Sequence, residues 1–513
     1  MLDRLTIDEK IGQLICMGGV TGGVKLEESK RLIRDGMVGA VYVGWPIYKN
    51  PEEAFSLHEE LQSVSKIPLF IAADLETGLS YIMEKGASHF PYPMGIGATD
   101  SYELAEQAGR ITGEEAMAVG INYNFGPDMD VNTNPDNKGV GIRSFGDNPD
   151  KVAAMGRAYI RGCQSTGIIC TAKHFPGAGM VTLDAHENIE ILKHSINELE
   201  GHLIPFKAAI KECVKSIMSV HMSFSAFDKD GRPATCSANI LTNLLRQKLG
   251  FDGLVISDAL GMGAIEKYYG DESKAGLEAF KAGCDLILTS NPCGVHQKIK
   301  EALLSGGLTT QRIDTSLMRI FQTKANFKKP DKSNLKVFDN SDNKKIVEQI
   351  GQESVTILYK DKDILMSSEE HFLLVTQRIT DNPDRFFLKE KEAIKCVKKV
   401  LSHKVQSLQS VDISRSCTYD EQLRVLKKAK EFKVILFVSV VKNFAYDKYN
   451  GKLTSETLSM LNSLWKQGKR IILLILGSPY ASPMSPEFKG TICTYSDSCA
   501  SVCSAINVLF GKR

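Results

Sequence analysis

The sequence lacks several features that would assign it to a specialised class of protein. No apolar run reaches the roughly 18 residues that a membrane-spanning helix requires. Lys and Arg number 63 against 61 Asp and Glu, and this balance gives no support for a nucleic-acid partner. No fixed-period repeat and no low-complexity tract is present. These absences leave a soluble globular protein whose 513 residues suit two or three domains.

The cysteines and the N-terminus bear on the cellular compartment. Twelve cysteines are too few for a disulfide-rich scaffold of this length, and no pair has the C-x-x-C spacing. Cys499 and Cys503 are one helical turn apart, but a metal site there needs two further ligands that the sequence does not identify. The N-terminal segment has no basic stretch followed by an apolar core. We therefore expect reduced thiols and a cytoplasmic location, with a trimmed secreted form as the alternative.

Short apolar runs alternate with helical stretches through the first 325 residues. Segments such as 101–119 and 197–215 have the i, i+3, i+4 apolar spacing of helices packed on a sheet. Near-continuous apolar strands that alternate with helices indicate a parallel sheet covered by helices. Eight such units favour a closed (β/α)8 TIM-type barrel over an open, doubly wound sheet. We predict strands at 13–19, 39–44, 69–74, 121–126, 168–174, 216–221, 253–258 and 285–290.

A polar, lysine-rich stretch separates this region from a second alternating set of strands and helices. We predict a catalytic barrel domain over 1–327, a linker over 328–345 and a smaller α/β/α sandwich domain over 346–513. In the second domain the predicted strands are 354–359, 371–376, 434–440, 470–477 and 490–495.

Several predicted barrel strands end in polar or charged side chains. In a parallel barrel the carboxyl ends of all strands meet at one mouth, where active sites of this fold lie. We therefore expect these side chains to converge there, and the pattern itself favours the barrel. They are Asp74, Lys173, His174, His221 and Asp258.

The segment 171–188, TAKHFPGAGMVTLDAHEN, is the densest in chemically active residues. A strand that ends in Lys173 and His174 is followed by Pro and Gly residues that begin a loop. On this loop Asp184 can hold one ring nitrogen of His186, which fixes the tautomer and raises the basicity of the other nitrogen. The alternative is a turn-capping Asp184 and a solvated His186. The position directly after K-H-F-P-G favours the catalytic interpretation.

The segment 253–262, GLVISDALGM, places Asp258 after four apolar residues. A carboxylate at the end of a buried strand is costly unless it faces a polar cavity. The structural alternative is an N-cap for the next helix. The functional alternative is a nucleophile, since an ionised carboxylate can attack an anomeric carbon as the leaving group departs.

These motifs together resemble family 3 glycoside hydrolases, specifically their β-N-acetylglucosaminidase branch. The resemblance rests on K-H-F-P-G with the following D-x-H and on V-I-S-D-A-L-G-M. Further matches are N-F-G-P-D-M-D-V-N at 124–132, R-S-F-G-D-N-P at 143–149 and the opening L-T-I-D-E-K-I-G-Q-L. The matches run through residues 5–325, and the second domain fits the family's α/β sandwich in order and size.

The resemblance implies a retaining, exo-acting β-N-acetylglucosaminidase. It implies that Asp258 is the nucleophile that forms a covalent glycosyl-enzyme intermediate, and that His186 with Asp184 is the acid/base dyad. It implies no metal and no organic cofactor, and a small carbohydrate substrate, either a muropeptide or a chitooligosaccharide. The residues implied to hydrogen-bond the sugar hydroxyls are Asp74, Arg143, Lys173 and His174.

Two segments depart from the family pattern. The chain has D-L-E-T-G-L-S-Y-I at 74–82, where the family has a second glycine and an arginine, and Ala178-Gly179-Met180 where the family has H-G-D. Three alternatives stay open. The first is a phosphorylase that uses inorganic phosphate as acceptor, because a neutral imidazole does not repel an anion. The others are a family 3 β-glucosidase and a catalytically silent sugar-binding protein.

Overall fold

The chain divides into two units, each built around its own parallel or mixed sheet. The computed structural model describes residues 4–19, 24–44, 48–182, 189–325, 327, 331–360, 364–378, 388–442, 451–481, 488 and 490–511. The first unit comprises 1–88, 102–139 and 144–343, and the second comprises 89–101, 140–143 and 344–513. Within the described ranges we find no helix that has both the length and the apolarity to cross a bilayer.

The first unit contains eight parallel strands in one sheet. Their order is β8-β1-β2-β3-β4-β5-β6-β7, and a parallel bridge between Ile256 and Leu286 brings the two edges together. The predicted barrel is confirmed, and each of the eight predicted segments overlaps one strand, with β5 ending one residue beyond its predicted segment. The strands are β1 (Ile15–Met17), β2 (Ala40–Tyr42), β3 (Phe70–Ala73), β4 (Tyr123–Asn124), β5 (Ile169–Phe175), β6 (Ser216–Ser219), β7 (Leu254–Ile256) and β8 (Ile287–Thr289).

Helices follow the barrel strands, and the sequence marks where several of them begin. Three begin at an Asn-Pro pair in which the Asn side chain accepts a backbone N–H of the first turn, as Asn50 does from Glu53 at 2.9 Å. The helices in this part of the chain are α1 (Ile7–Gly12), α2 (Val24–Arg34), α3 (Pro51–Ser63), α4 (Pro93–Ala98), α5 (Tyr102–Ala118), α6 (Pro149–Gln164), α7 (Ile196–Lys211), α8 (Gly263–Tyr269), α9 (Glu272–Ala282), α10 (Pro292–Leu304) and α11 (Thr310–Lys324), with a π-helix at Asn239–Lys248 and short 3₁₀ helices at Leu79–Tyr81, Gly141–Arg143, Ala234–Cys236 and Lys332–Asp339.

The second unit is a six-stranded sheet with helices on both faces. Its strands are β9 (Thr356–Lys360), β10 (Phe372–Gln377), β11 (Gln409–Ile413), β12 (Val434–Val441), β13 (Arg470–Gly477) and β14 (Gly490–Cys493). Its helices are α12 (Ser341–Glu353, of which the part from residue 344 belongs to this unit), α13 (Leu388–Ser402), α14 (Tyr419–Ala429), α15 (Ser455–Lys466) and α16 (Cys499–Leu509). The order is β9-β14-β13-β12-β10-β11, with β9 antiparallel to β14 and all other pairs parallel. Alternate residues of the central strands face two apolar cores, one with α13 and α16 and one with α14 and α15. The predicted sandwich is therefore confirmed.

One strand of the second unit and two segments that group with it were not foreseen from the sequence. The strand β11 was missed because it lies at the sheet edge, where most of its residues are exposed and polar. Segments 89–101 and 140–143 group with the second unit because Met94 and Ile142 pack on Cys493 and Tyr495. The residues predicted as a linker, 328–345, include the 3₁₀ helix Lys332–Asp339 and the start of α12.

Candidate active site

Four of the predicted site residues lie at the carboxyl ends of barrel strands. Asp74 directly follows β3, Lys173 and His174 lie near the end of β5, and Asp258 is two residues beyond β7. Arg143 ends the 3₁₀ helix Gly141–Arg143, which groups with the second unit. The predicted dyad residues Asp184 and His186 lie outside the described residues.

Lys173 connects two carboxylates across the barrel. Its Nζ lies 2.6 Å from Asp74 Oδ1 and 3.0 Å from Glu76 Oε1. The side chains of Lys173 and Glu76 are only 2% and 1% exposed, whereas that of Asp74 is 25% exposed. Ion pairs as buried as this one need good geometry to offset the loss of hydration. The carboxylate of Asp74 is therefore partly exposed, and the buried ammonium group of Lys173 fixes its position.

A tyrosine fixes the second oxygen of Asp74. Tyr42 Oη donates to Asp74 Oδ2 at 2.7 Å, and its ring stacks on Phe125 with 5.7 Å between centroids. Burial and then the negative charge of Asp74 raise the pKa of Tyr42 well above its ordinary value, so the phenol stays protonated and remains a donor.

His174 is held by a buried carboxylate from the loop after β4. Its Nδ1 lies 2.8 Å from Asp130 Oδ2, and because a carboxylate only accepts, the proton is on Nδ1. Burial acts to raise the pKa of Asp130, but the interaction with His174 together with the hydrogen bond from the Ala178 N–H outweighs it, and the pKa is lowered. Asp130 is thus ionised, and it fixes both the tautomer and the orientation of the imidazole.

The loop after β5 makes its contacts through the backbone. The N–H of Ala178 donates to Asp130 Oδ1 at 2.5 Å. A Cβ at Gly179 would lie 1.7 Å from the Val131 carbonyl oxygen, so only glycine fits there. Ala178 departs from the family motif, but its contact with Asp130 comes from a backbone group that any residue except proline supplies.

The flanks of the segment predicted to carry the dyad are joined to each other. The N–H of Thr182 donates to Glu190 Oε2 at 2.8 Å, and Asn134 Nδ2 donates to the Val181 carbonyl at 3.0 Å. Residues 183–188 lie between these two anchored flanks and outside the described residues.

The turn that carries Asp258 is fixed on both sides. The N–H of Ala259 donates to Asp258 Oδ1 at 2.7 Å. The N–H of Leu260 donates to the Leu288 carbonyl at 3.0 Å, which ties the turn to β8. His221 Nε2 donates to the Ala259 carbonyl at 3.1 Å, since a carbonyl only accepts, and His221 Nδ1 lies 2.9 Å from Thr235 Oγ1. Asp258 is half-buried, and the backbone beside it is held by β8 and by His221, which follows β6.

One group within the described residues has the composition and spacing that could hold a metal ion. Asp128, Asp130 and His174 each offer a ligand atom, and these atoms lie within 4.8 Å of one another. The oxygen of Asp130 and the ring nitrogen of His174 already form a hydrogen bond, and Asp130 also accepts from the Ala178 N–H. These bonds give the group a role in orienting the imidazole.

Three residues of this region were not singled out from the sequence, and a fourth, His221, was expected at the barrel mouth but was given no role in the site. Asp130 and Glu76 lie inside the quoted segments 124–132 and 74–82, so the motif positions carried a signal for both. Tyr42 and His221 have no motif around them that indicates a contact, because their partners belong to other strands of the barrel.

The arrangement suits chemistry on a polyhydroxylated ligand. Asp74 offers an acceptor oxygen, Lys173 and His174 offer charged or polar groups beside it, and Asp258 offers a carboxylate on a rigid turn. Charge-assisted hydrogen bonds of this kind orient hydroxyl groups strongly.

Comparison with known proteins gives one family. The sequence profile of the glycosyl hydrolase family 3 N terminal domain matches residues 6–323. A beta-N-acetylglucosaminidase/beta-glucosidase from Cellulomonas fimi is 30% identical over 382 residues, which are 71% of this chain and 66% of that protein. Beta-hexosaminidase A from Pseudoalteromonas piscicida is 32% identical over 54% of this chain and 51% of its own length. The chain thus spans between half and two thirds of these two relatives.

Two solved structures resemble the whole chain. A glycoside hydrolase family 3 beta-N-acetylglucosaminidase from Paenibacillus sp. str. FPU-7 superposes with a TM-score of 0.87 at 26% identity, covering 99% of this chain and 97% of that one. Beta-glucoside phosphorylase BglX superposes with a TM-score of 0.85 at 25% identity, covering 100% of this chain and 92% of that one.

Proposed function

The chain belongs to glycosyl hydrolase family 3, and from this premise we propose that it is a retaining, exo-acting β-N-acetylglucosaminidase that removes a terminal β-linked N-acetylglucosamine from small carbohydrates. The observation that supports this most is the Lys173–Asp74 pair at the carboxyl end of the barrel, in the same mouth as Asp258. The choice of sugar is supported by the names of the hexosaminidase relatives and of the Paenibacillus structure.

The proposed reaction has two displacements at the anomeric carbon. In the first, a carboxylate oxygen of Asp258 forms a bond to this carbon while the glycosidic C–O bond breaks and His186 gives its proton to the leaving oxygen. In the second, His186 takes a proton from water as the water oxygen displaces Asp258 and releases the sugar. Asp184 would hold the imidazole in the productive tautomer.

Asp74, Lys173, His174 and Arg143 would bind the sugar hydroxyls in this proposal. The exposed part of Asp74 can accept from a hydroxyl, while Lys173 and Tyr42 keep the carboxylate from rotating. Fixed partners of this kind hold the anomeric carbon within reach of Asp258, and orientation is a large part of the rate gain available to an enzyme.

A second candidate is phosphorolysis at the same site. One specific observation favours it, which is the similarity over the full chain to a structure named as a beta-glucoside phosphorylase. In that reaction inorganic phosphate replaces water in the second displacement, and a sugar 1-phosphate is released.

Muropeptide-derived disaccharides in the cytoplasm are the natural substrates that we propose, with chitooligosaccharides as the alternative.

The test compares p-nitrophenyl β-N-acetylglucosaminide with the corresponding β-glucoside, each with and without phosphate. We expect faster release from the acetamido sugar, no dependence on phosphate, and loss of turnover in Asp258→Asn. Asp252→Asn is the matched control, because Asp252 is a largely exposed carboxylate that pairs with Arg319 on the surface.

Three results would change the assignment. Faster turnover of the glucoside would point to a β-glucosidase. A rate that rises with phosphate and yields the sugar 1-phosphate would make the enzyme a phosphorylase. Sugar binding without turnover of either substrate would indicate a silent binding protein.

A further inference from the structure

Three cysteines of the second unit meet where two helices pack together. Cys499 and Cys503 are four residues apart on α16 and therefore share one face of that helix. Cys396 lies on α13, and its Sγ is 3.9 Å from the Cys499 carbonyl oxygen. Cys396 and Cys503 both lie in the apolar core that α13 and α16 share, Cys396 within it and Cys503 packed against it. One thiol on α13 thus has two potential disulfide partners on α16.

The three thiols differ in exposure, and those on α16 are more accessible to a reagent in solvent than Cys396 on α13. Cys396 is 8% exposed, Cys503 is half-buried and Cys499 is exposed. Cys499 is also the first residue of α16, next to the N-cap Ser498, where the helix dipole favours a negative charge. A reagent in solvent can therefore reach the α16 thiols first, with Cys396 behind them.

The electrostatics favour thiolate on α16 and thiol on α13. The hydrogen bond from Cys396 lowers the pKa of Cys503 to about 7 against the effect of burial, and the charge of Lys404 adds to this lowering. The thiol of Cys396 likewise lowers the pKa of Cys499. The hydrogen bonds that Cys396 makes to these two thiols raise its own pKa. Because the thiolate is the reactive form, attack would start from α16.

A second pair of neighbouring thiols serves as a comparison, because it lacks the solvent access of the cysteines on α16. Cys163 and Cys170 in the barrel unit are also in contact, but both are fully buried. Burial raises the pKa of Cys170 well above its ordinary value, so this thiol is neither accessible nor available as a thiolate.

We propose that Cys396 forms a reversible disulfide with one of the two cysteines of α16, which makes this helix pair a dithiol oxidation site for low-molecular-weight disulfides. The site is independent of the reaction proposed for the barrel.

The chemistry balances as two thiol–disulfide exchanges. A thiolate on α16 attacks one sulfur of the small disulfide, whose S–S bond breaks and releases one thiolate, and a mixed disulfide remains on α16. Cys396 then loses its proton and attacks the α16 sulfur, which expels the second small thiolate. Two protein thiols are oxidised to one disulfide, and the small disulfide is reduced to two thiols.

The experiment treats the full-length protein with oxidised glutathione at neutral pH, blocks the remaining thiols and maps the unreduced peptides by mass spectrometry. We expect a peptide pair that links Cys396 to Cys499 or Cys503 and that disappears after dithiothreitol. In Cys396→Ser we expect the cross-link to be lost and glutathione to accumulate on α16, because the resolving thiol is missing.

Control variants separate this outcome from a general effect on the fold. Cys213→Ser removes an exposed cysteine of the barrel unit and should keep the Cys396 cross-link. The thermal midpoint of Cys396→Ser in reductant should match that of the unsubstituted protein. A cross-link between Cys499 and Cys503, a stable mixed disulfide on α16 of the unsubstituted protein, or no oxidation at all would overturn the proposal.

Discussion

The ammonium nitrogen of Lys173 lies 2.6 Å from a carboxylate oxygen of Asp74, although the two residues are 99 positions apart in the sequence. The pair joins β5 to the end of β3, and Glu76 contacts the same nitrogen at 3.0 Å. Lys173 therefore pairs with two carboxylates at the barrel mouth and leaves one of them, Asp74, partly open to a ligand.

Lys173→Met should lower both activity and stability. Without the ammonium group, Asp74 and Glu76 would lose the cation that they share, and breaking a buried ion pair costs about 3 kcal/mol of unfolding free energy. Loss of hydrogen bonds from a charged group should lower kcat/KM by about 10- to 100-fold. Kinetics on the aryl β-N-acetylglucosaminide and urea unfolding measure the two effects.

The control for this variant is Lys281→Met, which removes a lysine paired with Glu278 on the surface. Such surface pairs contribute about 0–1 kcal/mol, so activity and stability should stay close to those of the unsubstituted protein. Equal behaviour of the two variants would contradict a role for Lys173 in the site.

His221 is expected to act through the backbone of the turn that carries Asp258. His221→Ala removes the donor to the Ala259 carbonyl and should lower kcat by about 5- to 100-fold with little change in KM, since a buried acceptor loses its partner. His221→Gln offers an amide N–H instead and should restore part of the loss. A change confined to KM, or identical kinetics for Ala and Gln, would argue against this positioning role.

A buried histidine should make the barrel less stable in mild acid. His58 Nδ1 donates to the Val119 carbonyl at 2.7 Å and Nε2 lies 3.0 Å from Tyr48 Oη, and burial lowers the pKa of His58 from 6.5 to about 4. Between these values the unfolded chain binds a proton that the folded chain does not. Stability from this group is therefore lost as the pH falls from about 6.5 to 4, by about 3 kcal/mol in total.

Urea unfolding at pH 7 and pH 4.5 checks this expectation, with His58→Gln beside His403→Gln as the exposed control. The difference between the two pH values should be smaller in His58→Gln than in the unsubstituted protein, and unaltered in His403→Gln. The same pH dependence in all three proteins would assign the acid sensitivity to other groups.

A buried carboxyl group should make the barrel less stable as the pH rises. Burial raises the pKa of Glu115 from 4.5 to about 7, even though the carboxyl accepts from the N–H and hydroxyl of Ser88. The folded chain keeps this proton up to a higher pH than the unfolded chain. Its contribution is fully present below about pH 4.5 and is lost as the pH rises through 7.

Glu115→Gln should therefore raise the unfolding free energy by up to about 3 kcal/mol at pH 8, and this gain should disappear near pH 4.5. Thermal unfolding across this range measures it, and the exposed Glu59 gives the matched control Glu59→Gln. A Glu115→Gln variant that is less stable at pH 8 would mean that the bonds with Ser88 outweigh the cost of burial.

The barrel could be predicted from sequence because its strands carry a strong local signal. Every residue of β3 and β7 is buried, and such strands appear as apolar runs between turn residues. The strand β11 gave no such signal, since Gln409 and Ser410 are exposed at the sheet edge. An edge strand forms because it pairs with the neighbouring strand, and its own sequence need not show an apolar pattern.

The site could be predicted only in part, for a related reason. Position after a strand and a quoted motif indicated Asp74, Lys173 and Asp258. The contact of Tyr42 with Asp74 joins β2 to the residue after β3, and the contact of His221 with Ala259 joins the segments that follow β6 and β7. Contacts of this kind depend on how neighbouring strands align in the barrel, and no single segment of the sequence encodes them.

The central claim, that Asp258 forms a covalent bond with the sugar, is tested most directly by trapping. A 5-fluoro-N-acetylglucosaminyl fluoride slows the second displacement, so the glycosyl-enzyme accumulates and can be mapped by peptide mass spectrometry. We predict a single label on Asp258, with no label in Asp258→Asn and full labelling in Asp252→Asn. A label on another residue, or turnover of the reagent without any covalent adduct, would contradict the account.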